Sequence, residues 1–169
     1  MLDALTLVAV GVVVLLVSLP RLREFALDEN EGDARRLVAH LGELLAHPVH
    51  AAEAPEPEVS NVETLNVEQL VQGSRELSRQ LDDAEFLDQG RLLRRHGYLF
   101  ELAPRANAGP ATCVRAWPWH YRQTGLAAFA WTPDSGLQSH ANDGGLWSGP
   151  EQPPSAPDPA SGWKVIVAR

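Results

Sequence analysis

Basic residues are scarce in this chain, and lysine nearly absent: Lys164 is the only one, and Lys and Arg together number 14 against 22 Asp and Glu, a formal net charge of −8 over 169 residues. The arginines are scattered, so there is no basic patch to neutralise a phosphate backbone, which argues against binding to nucleic acid. Cysteine is equally rare. Cys113 stands alone, so no internal disulfide can form and an apolar core must hold the folded part together. Absent too are glycine-rich phosphate loops, Cys-x-x-Cys pairs and any nucleophile signature, which leaves no motif announcing catalysis. The length allows one modest domain plus an N-terminal segment, not two full domains.

What the chain does have is a long apolar run. Ala4 to Leu19 carries no charge, is interrupted only by Thr6, Gly11 and Ser18, and ends in Pro20-Arg21-Leu22-Arg23. A cleaved signal peptide calls for a basic stretch before such a run and a small-x-small site after it. Met1-Leu2-Asp3 and the Pro-Arg flank supply neither. From Ala34 the apolar positions Ala34, Leu37, Val38, Leu41, Leu44 and Leu45 fall at helical spacing, opposite Asp33, Arg35, Arg36, His40 and Glu43. The spacing predicts one long helix, kinked at Pro20, over residues 1–47. Its first half, about 3–20, is apolar all round and is expected to insert in a membrane as a single span. Its second half is amphipathic and packs on a domain formed by 48–169. The Pro-, Ala- and Glu-rich stretch "HPVHAAEAPEPEVS" reads as a linker over 48–60.

Beyond the linker, residues 61–80 read as one or two short helices broken near Gly73, followed by a polar connection through "DDAEFLDQGRLLRRHG". The period then changes. Tyr98, Phe100 and Leu102 alternate as in a strand, and "TCVRAWPWHY" reads as a second strand, confined to an edge or a bend by Pro118. "GLAAFAWTP", "TPDSG" and "LQSHAN" read as a hairpin, and "WKVIVAR" as a final short strand. The expected fold class is α+β: a long N-terminal helix packed on an antiparallel sheet of about four strands.

A helix apolar in front and amphipathic behind, with a proline at the junction and an early carboxylate, resembles the N-terminus of type IV pilins and type II secretion pseudopilins. In that family a glutamate lies seventeen residues before the proline, and Asp3 stands in the same relation to Pro20. The resemblance covers roughly the first forty residues. It lacks the basic leader and the Gly-Phe cleavage site, and has Asp for Glu. A second stretch, "HGYLFEL…AWPWHYRQTGLAAFAWTPDSGLQSHANDGG", resembles the C-terminal region of pilin-like proteins, with a Gly-Tyr-x-Phe strand and a Tyr-x-x-Thr-Gly turn. The resemblance implies a structural subunit of a pilus- or pseudopilus-like filament or secretion apparatus. Such a subunit is anchored in the inner membrane, carries its globular part outside the cytoplasm, and meets copies of itself or related subunits by helix packing. It also implies that Asp3, pairing with a neighbouring subunit's N-terminal amine, and Pro20 serve assembly; otherwise Asp3 is a helix cap. The alternative is a single-span, membrane-anchored binding module of unknown ligand.

Neither reading calls for a cofactor, a small-molecule substrate or catalysis. The histidines, His40, His47, His50, His96, His120 and His140, include one H-x-x-H pair with a proline inside it, and zinc needs three or four converging ligands. Cys113 with His120 or His140 lacks a thiol-nucleophile signature. Asn142 and Asp143, in a glycine-rich loop, are the one candidate calcium position, but a single carboxylate falls short of the six to eight oxygens calcium takes. Five tryptophans, Trp117, Trp119, Trp131, Trp147 and Trp163, read first as core, with Trp117 and Trp119 on one strand face and Trp131 opposite.

Overall fold

The computed structural model describes residues 2–46, 66–105 and 108–166, with the side chains of 2–7, 9–17, 105, 108–112 and 159 outside the description. The linker expected over 48–60 therefore lies outside the described residues, as do His47 and His50.

Helix α1 runs unbroken from Leu2 to Ala46 with Pro20 inside it. Two short helices follow, α2 (Val67–Gln72) and α3 (Arg75–Gln80). Asn66 caps α2 in a reciprocal box with Gln69, and Ser74 caps α3, so the break falls at Gly73-Ser74 where the two caps meet. Seven strands follow among the described residues: β1 (Glu85–Leu87), β2 (Leu92–Arg95), β3 (Tyr98–Arg105), β4 (Ala108–Pro118), β5 (Ala128–Thr132), β6 (Gly136–His140) and β7 (Lys164–Val165). They form one antiparallel sheet in strict chain order, β1 to β7. The chain is α+β, with a long N-terminal helix on an antiparallel sheet.

The sheet has seven strands rather than about four. The stretch read as a polar connection folds into β1 and β2, too short to show a period in sequence. Phe86 pairs with Leu93 and Leu87 with Leu92 across them. Pro118 does not confine its strand to an edge, since β4 lies between β3 and β5. The proline is tolerated because β5 pairs only with Val114, Arg115 and Ala116, so the ladder on that side ends before it.

Alternation along the strands gives the sheet two covered faces. On one, Leu93, Tyr98, Phe100, Leu102, Val114, Ala116, Phe129 and Trp131 meet Ala34, Leu37, Val38 and Leu41 of α1 and Val67, Val71, Leu77 and Leu81 around α2 and α3. On the other, Leu92, Leu99, Cys113, Trp117, Ala128 and Ala130 lie under Trp163, with Trp119 and Trp147 alongside. The expected clustering of Trp131 with Trp117 and Trp119 is not found: Trp131 packs on the α1 side of the sheet, Trp117 and Trp119 on the other. Gly42 sets the distance of α1 from the sheet, because a β-carbon there would lie 2.2 Å from the Trp131 ring.

The membrane span does not stand. Among the described residues no helix is long and apolar enough to cross a membrane. This overturns the transmembrane segment expected over about 3–20 and the single-pass localisation drawn from it. The apolar run of Ala4 to Leu19 covers only about 24 Å at ~1.5 Å per residue, short of the ~30 Å hydrocarbon core. After Pro20 the helix carries charge in every turn, from Arg21 and Arg23 through Glu24, Asp28 and Glu31.

Candidate functional site

Two parts of α1 behave differently. From Ala34 onward its apolar stripe is buried against the sheet. Between Leu19 and Glu29 it is almost entirely exposed, including Leu19, Leu22 and Phe25. These exposed turns pass beside the connection between β4 and β5, residues 119–127, and a set of polar bonds joins the two. Arg23 donates from Nη2 to the Arg122 carbonyl at 2.7 Å, and Asn30 from Nδ2 to the Thr124 carbonyl at 3.0 Å. Glu31 accepts from the backbone amides of Leu126, at 2.7 Å, and Ala127, at 3.1 Å. The connection is itself tied down. Thr124 bonds the His120 backbone in both directions, and the buried Tyr98 hydroxyl donates to the Ala127 carbonyl at 2.9 Å. Burial pushes the Tyr98 phenol well above its ordinary value, and the nearby Glu31 carboxylate adds to the shift, so Tyr98 remains a donor at any working pH. Gly125 lies against the Tyr98 ring, 2.2 Å from its hydroxyl to a would-be β-carbon, so no larger residue fits there.

Between the helix and this connection runs a groove of about 730 Å³, lined by Leu19, Pro20, Arg23, Glu24, Leu27, Arg122 and Leu126. Pro20, one of the two residues assigned to assembly, thus lines a surface groove and is itself exposed. Having no N–H, it leaves the carbonyl four residues before it without the usual helical donor. Asp3 falls within α1, but its side chain lies outside the described residues.

A second polar cluster fastens α1 to the sheet. His96 and Gly97 are the two central residues of the β2–β3 turn, both with positive φ (45° and 76°), the pairing a tight hairpin favours. The turn aims the His96 ring between two carboxylates: Nδ1 is 2.6 Å from Asp33 of α1, and Nε2 is 2.8 Å from Asp83. Asp83 also accepts from Arg95 at 2.9 Å, and Asp33 from Arg36. A neutral imidazole has one N–H and can donate to only one of the two acids, whereas both ring nitrogens of a protonated one can donate. Partial burial works to raise the Asp33 pKa. The hydrogen bonds and charges of Arg36 and His96 outweigh it and hold the carboxyl below its ordinary 3.8. A depressed acid stabilises the fold above its unfolded value, and that contribution disappears as pH falls through the folded one. Asp33→Asn should therefore cost about 1 kcal/mol near neutrality and nothing well below the unfolded pKa of 3.8. Denaturant unfolding of both proteins across that range checks it, and a pH-independent difference would contradict the assignment.

The metal and nucleophile candidates are not assembled. Asn142 is buried, and its carboxamide is used at both ends: Oδ1 accepts from the Trp147 amide and Nδ2 donates to the Trp147 carbonyl, each at 2.9 Å. It closes a loop and offers no oxygen to calcium. Asp143 lies on a pocket with Lys164 and His140. Among the described residues no group of three or more His, Cys, Asp or Glu could hold a metal ion. His140 has both nitrogens engaged, Nδ1 accepting from the Asn142 amide at 2.8 Å and Nε2 contacting the Ser161 carbonyl at 3.1 Å. It is therefore not poised as a base for Cys113, which is buried in the sheet. His120 is exposed and stands edge-on to Trp119, while His40 lies near Asp33 and Arg95.

Pro20, expected from the sequence to serve assembly, lines the groove together with residues that carry no signal in the sequence. Nothing marked Arg122, Leu126 or Glu31, whose only signal was the Thr124-Gly125 turn. Compared with known proteins, the chain matches no family model, no curated protein and no solved structure.

Proposed function

We propose that this protein is a structural subunit that assembles with copies of itself, or with related subunits, through the exposed turns of α1, in the manner of the pilus- and pseudopilus-type filaments and secretion apparatus its N-terminus resembles. One observation carries the reading. A single helix serves as a core element from Ala34 onward, yet between Leu19 and Glu29 it leaves Leu22 and Phe25 63% and 69% exposed. Clustered apolar exposure of this kind on a rigid element marks an interaction surface. The bonds from Arg23, Asn30 and Glu31 to the β4–β5 connection hold that part of the helix in a fixed pose. Pro20 belongs to the assembly surface, and Asp3 is assigned to assembly on the family resemblance.

Sedimentation velocity and negative-stain microscopy of the full chain test this. Concentration-dependent growth into large or elongated species is expected, with Asp3→Ala reducing the fraction incorporated. A chain that stays monomeric at every accessible concentration would refute the reading. Unchanged incorporation of Asp3→Ala would remove Asp3 from it.

A further inference from the structure

The exposed turns of α1 present two different surfaces. Leu22 and Phe25 stand on one side. The groove residues Leu19, Pro20, Arg23, Glu24 and Leu27 stand on the other, facing Arg122 and Leu126. At ~100° per residue the centre of the groove set and the centre of the Leu22–Phe25 pair lie roughly 160° apart around the helix axis. One face projects apolar side chains, and the opposite face is an apolar hollow. Leu126, 42% exposed, forms its far wall.

Charge is arranged to match. Glu29 lies one turn beyond Phe25, within roughly 40° of it around the axis, and is exposed. The hollow is rimmed by Arg23 and Arg122; Glu24 is its one acid, and the Arg122 guanidinium rests over the Tyr121 ring, 5.4 Å from its centre. We propose that the groove receives the Leu22–Phe25 face of α1 from a second copy of this chain, with that copy's Glu29 set against Arg23 and Arg122. Because the two complementary surfaces are on opposite sides of one element, the contact is head-to-tail. It does not close on a twofold axis, and each added copy presents a fresh hollow or a fresh projection. The inference rests on the reading of the chain as a self-assembling subunit and adds to it which surfaces meet and in what sense.

Two variants separate the possibilities: Phe25→Asp, which spoils the projecting face, and Leu126→Asp, which spoils the hollow. Both side chains are exposed, so circular dichroism and thermal melting should match the parent chain. Each variant alone should need about thirtyfold more protein to assemble, the loss expected on removing a central apolar anchor. Mixed in equal amounts they should form a one-to-one dimer and stop, since the intact hollow of one accepts the intact projection of the other. If the parent chain assembles but Leu126→Asp assembles equally well, or the mixture shows no dimer, the head-to-tail contact is wrong while the assembly reading stands. A parent chain that does not assemble defeats both.

Discussion

Gly42→Ala lowers stability by about 2 kcal/mol: overpacking of about 3 kcal/mol outweighs the ~1 kcal/mol that alanine gains over glycine in a helix. The sign is the point, because propensity alone predicts stabilisation in the middle of a long helix. The added methyl would lie 2.2 to 2.7 Å from ring atoms of Trp131. Those atoms, Cγ, Cδ2 and Cε2, lie in the rigid base of the indole, not at a free side-chain end, so relief requires α1 to move away from β5. Leu41 and Val38, fully buried on the same stripe, would lose contact as it did. Urea unfolding followed by tryptophan fluorescence measures the change. A variant as stable as the parent would mean that the helix–sheet spacing is not set at Gly42.

Glu101→Ala is the second and larger expected loss, about 3–5 kcal/mol. Glu101 stands in the middle of β3 on the sheet face away from α1, its side chain only 6% exposed, between Arg91 at 2.9 Å and Arg115 at 2.6 Å. Arg115 is itself largely buried and also donates to the Pro154 carbonyl. Removing the carboxylate leaves the Arg115 charge without a counter-ion in a place water scarcely reaches, and that uncompensated charge is the source of the loss. The double variant Glu101→Leu with Arg115→Met removes both charges and should recover most of it, since a buried pair contributes little net stability over an apolar one. A loss below about 1 kcal/mol for Glu101→Ala would place the pair among screened surface bridges. The segment from Asn142 to Trp163 would respond first, being held over this face by Pro154, by the Trp117 indole bonded to the Gly149 carbonyl at 2.7 Å, and by the stacked Trp147 and Trp163.

Legibility of the fold in the sequence followed the length of each periodic segment. The Ala34–Leu45 stripe gave α1 its buried half, Gly73 gave the break between α2 and α3, and Thr132-Pro-Asp-Ser-Gly136 gave the β5–β6 turn. Strands β1 and β2 were missed because three or four residues with Arg94 and Arg95 among them carry no readable alternation, and only pairing makes them strands. The apolar run before Pro20 reads as a bilayer segment on composition, but its ~24 Å of helix falls short of the ~30 Å hydrocarbon core. The groove was not legible. Its two walls, Leu27 and Leu126, are brought together by bonds such as Glu31 to the Leu126 amide, between residues 95 positions apart in the chain.

Because the seven strands follow one another in chain order, each pairs with its neighbours in sequence, most across short turns, and no segment must thread past another. The meander can thus form progressively from neighbouring hairpins, with little loop-closure entropy to overcome. Helix α1 is the exception, since its partners β4, β5 and β6 lie far along the chain. Its seating is therefore expected late, after the rate-limiting barrier. In that order Gly42→Ala raises the unfolding arm of a chevron and leaves the folding arm in place, so that the lifetime of the docked helix, more than the speed of folding, is what this glycine controls.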